Sequence, residues 1–154
     1  MKKLLAVAAV LASGFMAVPA AACPDWQYSG RSNLGTLGGQ FLYTPRYWSV
    51  VAGGKVNLAN SAAHGTGNVI SQPDIELTFS NDGGYNRLEL SVQASCDTVL
   101  LVNDANGNWH FNDDTNGLQP QVNVFGAPSG VYDVWIGTYG SGNCQASLEL
   151  ETWY

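Results

Sequence analysis

Positive charge is scarce in this 154-residue chain. Six Lys and Arg stand against twelve Asp and Glu, a formal net charge of −6. Two of the six are Lys2 and Lys3, and no Lys or Arg follows Arg87. Nucleic acid and anionic membranes are bound through clustered basic side chains, so this balance argues against both as partners. Histidine is scarcer still, with only His64 and His110. No Cys/His spacing suits zinc, and no Gly-rich phosphate loop of the Walker type occurs. No segment carries a sustained 3.6-residue apolar period with caps, which argues against a helical fold.

Long apolar runs are also missing, with one exception at the start. Lys2-Lys3 precede an apolar run from Leu4 to Val18, and Ala20-Ala21-Ala22 follows. A charged head, a short apolar stretch and small residues are the parts of a secretory signal peptide. We expect residues 1–22 to be removed and the chain to work outside the cytoplasm, secreted or periplasmic. The run is short for a membrane span, and no second one follows. Cys23 comes at once after the cleavage site, so a lipoprotein signal is the rival reading; the position three before Cys23 is Ala20 rather than the usual Leu. Beyond residue 22 four basic residues (Arg31, Arg46, Lys55, Arg87) face all twelve acids, a formal charge of −8.

What is present reads as β structure. Glycine occurs 18 times and aromatics make up 11%. Turn residues recur at short intervals, as in a sandwich or a barrel. Residues 23–40 are rich in Gly, Ser and Asn and read as an irregular arm, with a β domain over 41–154. Phe41–Val51 reads as a strand broken by Pro45, Lys55–Ala59 as a second strand, and Asn60–Gln72 as a loop. Asp74–Ser80 alternates, with Ile75, Leu77 and Phe79 inward and Asp74, Glu76, Thr78 and Ser80 outward. Arg87–Ala94 alternates again. Gln121–Phe125, Val131–Tyr139 and Cys144–Tyr154 complete the series.

The cysteines are Cys23, Cys96 and Cys144. Cys96 continues the apolar phase of Leu88, Leu90, Val92 and Ala94, and Cys144 starts that of Ala146, Leu148 and Leu150. Both side chains should face the core, which favours a Cys96–Cys144 disulfide in an exported protein. Cys23 is then a free thiol, a lipid anchor or an intermolecular link.

The richest stretch is Cys96–Gly117. Two β-type runs, Thr98–Val102 and Asn108–Phe111, flank Asn106-Gly107, a pair that tolerates the positive φ of a tight hairpin turn. An antiparallel pair closed there brings Asp97, Asp113 and Asp114 to the open end, with Asp104 and Asn106 at the far tip. Like charges opposite one another on a sheet are destabilising. The three acids therefore need a cation, a raised pKa, or splaying into water. Calcium takes six to eight oxygens of the kind that Asp97, Asp113, Asp114 and Asn116 offer. Without metal, Asp97 would accept backbone N–H groups of the Asp113–Gly117 loop. Asp104–Asn108 has the alternation of a calcium loop's start but neither its Gly nor its Glu, so an Asn/Asp-rich turn is the stronger reading.

The second half resembles the bacterial pre-peptidase C-terminal domain. The likeness rests on Asp97-Thr98-Val99-Leu100, Asn103–Gly107, Asn112-Asp113-Asp114, and Pro128–Val134, and spans about Asp74 to Thr152. It implies an all-β, jelly-roll-like antiparallel sandwich of about eight or nine strands. It also implies a secreted, non-catalytic accessory or binding domain.

Ser61-Ala62-Ala63-His64 is similar to the segment around a trypsin-like protease's histidine, but no Gly-Asp-Ser-Gly-Gly segment exists to supply nucleophile and oxyanion hole. His64 reads as a loop residue and His110 as a solvent-facing strand residue. Asp113 and Asp114 are adjacent and alternate faces, a poor pair for glycoside hydrolysis. Trp26, Tyr28, Trp48, Trp109, Trp135, Trp153 and Tyr154 could stack sugars, though most suit a core or an edge. The expected function is a non-enzymatic binding module, calcium-aided, for a glycan or an extracellular protein. The rival is an assembly protein whose arm adds a strand to a neighbour's sheet edge, or which links through Cys23. Size-exclusion behaviour separates the two.

Overall fold

The structure is a computed structural model that describes residues 23–61 and 65–154. Residues 1–22, read as a signal peptide, and His64 lie outside the described residues. Strands dominate: β1 Ser32–Gly38, β2 Arg46–Gly53, β3 Val56–Asn57, β4 Asn68–Val69, β5 Ile75–Ser80, β6 Arg87–Ala94, β7 Thr98–Asn103, β8 Trp109–Asn112, β9 Gln121–Phe125, β10 Gly130–Thr138 and β11 Asn143–Trp153. One turn of helix, α1 (Gly39–Leu42), and a 3₁₀ turn at Leu58–Asn60 interrupt them.

These strands make a two-sheet sandwich. The smaller sheet runs β2-β11-β6-β9 and is antiparallel throughout. In the larger sheet β10 is central. On one side it pairs with β5 along its first half and touches β4 at Thr138; on the other it pairs with β7, which carries β8. β1 lies beyond β5, and β3 beyond β4.

The alternation of β5 places Ile75, Leu77 and Phe79 in the core between the sheets. There they meet Leu88, Leu90 and Val92 of β6, Tyr132 and Val134 of β10, and Leu148 and Leu150 of β11. Each fully buried side chain of this size contributes about 1.5–3 kcal/mol. β7 differs, since all six of its residues are buried. Leu100 and Val102 face the inner core, while Val99 and Leu101 join Trp135, Val56, Leu58 and Val69 in a second, outer cluster. Val56, Leu58 and Val69 cover that outer face, so a continuous apolar run is buried on both sides. A disulfide joins Cys96, after β6, to Cys144 at the start of β11, with Cα atoms 6.4 Å apart. Closing a loop of 48 residues stabilises by about 4 kcal/mol on the chain-entropy account. Cys23 is exposed.

Several expectations need correction. The stretch 23–40 is not irregular throughout, because residues 32–38 form β1 and pair in parallel with β5 of the same chain. An unpaired sheet edge must find partners for its N–H and C=O groups, and here the arm supplies them in cis. The larger sheet is therefore mixed rather than antiparallel. Among the described residues the strands number eleven, because β1, β3 and β4, short or irregular pairings with weak apolar alternation, add to those expected. Pro45 ends a turn rather than breaking a strand: α1 precedes it and β2 follows. Asp74, expected outward, is buried at 3% exposure.

Candidate functional site

The hairpin β7–β8 positions most of the residues singled out by sequence. Its register pairs Leu100 with Asn112 and Asn103 with Trp109. Continued outward, that register sets Asp97 opposite Thr115, between Asp114 and Asn116. The tip is a five-residue turn, Asp104–Asn108. Gly107, with a φ of 80° that suits glycine, donates its N–H to the Asp104 carbonyl at 2.8 Å.

At the open end the acids do share a neighbourhood. Partial burial, then the charges of Asp114 and Asp113, push the Asp97 carboxyl above its usual range. Asp97 Oδ1 is buried and has no hydrogen-bond partner. Asp113 Oδ2 accepts from the Thr66 hydroxyl at 3.1 Å. Asn116 is exposed, and its backbone N–H donates to the Gln119 carbonyl. The clasp expected of Asp97 belongs to Gln119 and Asn112. Gln119 accepts the Ala94 N–H at 2.8 Å and donates to the Cys96 carbonyl at 3.0 Å. Asn112 Oδ1 accepts from the Thr115 hydroxyl and the Gln121 N–H. The loop N–H groups of Thr115 and Asn116 go to the Gln119 carbonyl instead of to Asp97. Among the described residues no three His, Cys, Asp or Glu side chains are grouped closely enough to hold a metal ion.

The tip is organised quite differently. Asp104 is buried at 5% exposure and accepts from the Asn106 and Asn108 N–H groups, both at 2.9 Å, and from Asn108 Nδ2 at 3.2 Å. His110 Nε2 lies 2.9 Å from Oδ2, the oxygen that also accepts Asn108 Nδ2. Burial pushes the Asp104 carboxyl up, but the bonds from His110, Asn108 and Asn106 outweigh it and hold the pKa below the usual value. His110 is thus no solvent-facing strand residue; it packs partly buried against Asp104.

Beside this tip the outer face of the larger sheet carries a polar row that sequence reading missed. The registers place Asn33, Glu76, Asp133 and Asn103 side by side on β1, β5, β10 and β7. Glu76 is held by the Asn33 amide at 2.6 Å and the Gly30 N–H at 3.2 Å. Asp133 is only 5% exposed, and its Oδ1 has no partner. Burial, and then the charge of Glu76, raise its pKa to about 7. An open cleft of about 570 Å³ lies over this row, lined by Trp26, Glu76, Asn103, Asp104, Val131 and Asp133. Trp26 is 55% exposed. The signal was present in the sequence: an acid, Asp133, interrupts the apolar run Val131–Ile136 on the strand that pairs most widely.

A second buried acid contrasts with it. Asp74 sits where the partner of β10 changes from β5 to β4. Its Oδ2 accepts the buried Ile136 N–H at 2.9 Å, replacing the missing ladder bond. Burial raises its pKa to about 7 against the opposing effects of that bond and of Arg31. Of the aromatics, Trp135 and Trp109 pack together at 5.4 Å in the outer cluster, and Trp48 packs on the inner core. Trp153 lies under the Arg87 guanidinium, and Tyr154 stacks on Tyr85 at 4.6 Å, far from the polar row in sequence and on the other sheet's end.

No family model matches the chain, and no curated protein matches it. Among solved structures it is similar to the pre-peptidase C-terminal domain of a collagenase from Bacillus anthracis. The identity is 18% and the TM-score 0.44, over 81% of this chain and 97% of that chain. That is the domain type whose motifs the stretch Asp97–Val134 resembles.

Proposed function

We propose that the chain is a non-catalytic binding module of the extracytoplasmic space. Its ligand docks in the cleft over Glu76, Asp133 and Asn103, beside Trp26. One observation carries this reading: Asp133 is buried in the cleft wall with an oxygen that no group among the described residues satisfies. A buried polar atom without a partner costs about 1–3 kcal/mol, and such a cost persists where a ligand repays it. The cleft lies within the size range of small-ligand sites, and the exposed Trp26 offers an aromatic wall. The disulfide fits an oxidising compartment. The test is an array of glycans and peptides probed with the exported chain and with its Trp26→Ala and Asp133→Asn variants. A ligand should be retained by the wild type and lost by both variants while their circular dichroism stays unchanged. Ligands held equally by all three would place the binding surface elsewhere and end this reading.

A further inference from the structure

Resting on that reading, we infer that the cleft takes a cationic side chain, an arginine of a basic peptide segment on an extracellular partner. Three carboxylates, Glu76, Asp104 and Asp133, line it, and no Lys or Arg does. Asp104 has its own donors from Asn106, Asn108 and His110. Asp133 does not. It lies directly across the ladder from Glu76, a like-charge placement that is unfavourable until something positive sits between them.

Among the described residues the cations are placed elsewhere. Arg46 lies over the Phe41 ring at 4.2 Å. Arg87 pairs with Glu89 at 3.2 Å on the other sheet. Arg31 acts on Asp74, and Lys55 lines a different cavity. A positive partner for Asp133 and Glu76 would therefore come from outside the described residues.

A bare divalent ion fits less well, since no three acidic or ligating side chains group to hold one among the described residues. A volume of about 570 Å³ also has room for a side chain and its flanking backbone. A guanidinium brings a planar fork of five N–H donors, which can reach the vacant Asp133 oxygen and the Glu76 carboxylate together. Its flat face can lie on an indole such as Trp26. A lysine ammonium offers the charge without the fork. A neutral sugar offers hydroxyls but leaves the like charges facing each other.

The experiment titrates the exported chain with three acetylated, amidated tripeptides, Gly-Arg-Gly, Gly-Lys-Gly and Gly-citrulline-Gly. Citrulline keeps the shape of arginine and removes its charge. N-acetylchitotetraose serves as the neutral glycan. Binding is read by backbone amide shifts and by indole fluorescence. The arginine peptide should shift Asp133, Glu76, Asn103 and Trp26, and the citrulline peptide should bind at least tenfold more weakly. Asp133→Asn and Glu76→Gln should each weaken the arginine peptide about tenfold. Glu149→Gln, on the other sheet, should leave it unchanged. Equal binding of arginine and citrulline peptides would overturn the inference. So would equal weakening by Glu149→Gln, which would mean diffuse attraction to an acidic protein. If the glycan alone shifts the cleft residues, the cationic ligand is wrong and the binding-module reading stands. If no probe shifts them, the cationic ligand is again wrong; the module reading falls only when the array also shows no dependence on Trp26 and Asp133.

Discussion

Asp74 and Asp133 are two buried acids on the same sheet, both raised to about 7 and both nearly closed to solvent. They differ in what they touch. Asp74 accepts the Ile136 N–H and stands in for a strand that has changed partners. Asp133 has an oxygen with no donor among the described residues and faces an open cleft. Titration alone would rank them as equals. Partnership separates them, because a carboxylate satisfied by its own backbone is part of the ladder, whereas one left unsatisfied beside space is suited to a ligand.

The largest expected effect breaks the structural half of this pair. Asp74→Ala should leave the buried Ile136 N–H without an acceptor and destabilise by about 2–3 kcal/mol in urea melts. Asp74→Asn keeps an acceptor oxygen and should cost under about 1 kcal/mol. Equal losses would mean that packing, not the N–H bond, accounts for Asp74.

The hairpin tip offers a satisfied acid for reference. Asp104→Ala removes the acceptor for two backbone N–H groups and for His110, and should cost about 2 kcal/mol. The folded pKa of Asp104 is depressed, so its contribution is present above the unfolded value of 3.8 and fades as pH falls below it. His110→Ala should raise the folded pKa, so that the contribution shrinks and its loss on acidification is complete at a higher pH.

The sign is opposite for Asp133. Folding raises its pKa from 3.8 to about 7, so the folded state holds its proton more tightly and stability rises as pH falls from about 7 towards about 4. One such proton gives a slope of about 1.4 kcal/mol per pH unit. Asp133→Asn should flatten the stability profile by that slope between about pH 5 and 6.5. Glu76 faces Asp133, so Glu76→Gln should shift the same window downward. An unchanged profile in Asp133→Asn would remove the buried acid from the account.

The smallest effect belongs to the open end of the hairpin. Asp97→Asn relieves like charges in a partly exposed place and should stabilise by a few tenths of a kcal/mol near neutral pH. Its melts in calcium and in chelator also address the proposed cation. A calcium response in the wild type that Asp97→Asn erases would assign the metal to Asp97, Asp113 and Asp114; matching curves leave the raised pKa of Asp97 as the relief of that crowding.

The sandwich was legible because period-two alternation in β5, β6 and β11 is decided by burial of one face. The inward phase of Cys96 and Cys144 was legible for the same reason, and a disulfide joins them. The register of the hairpin could be bracketed from Asn106-Gly107 alone. β1 was not legible, since its residues pair in parallel with a strand more than forty positions away and alternate little. Asp74 looked outward because alternation ignores a change of strand partner. Asp133 within an apolar run hinted at the row Glu76–Asp133–Asn103, but its assembly needs the order of three strands across a sheet, and local pattern carries no information on that order. His110 was misjudged because the tip turns Asp104 back onto it.

The most direct measurement follows the carboxyl carbon shifts of Asp133 and Asp74 by NMR in the intact exported chain, across pH, with and without the arginine tripeptide. The account predicts that both titrate near 7 in the free chain. On binding, the Asp133 value falls by at least a unit, while the Asp74 value stays put. An Asp133 that titrates near 4 when free, or that ignores the peptide while Asp74 responds, would contradict it.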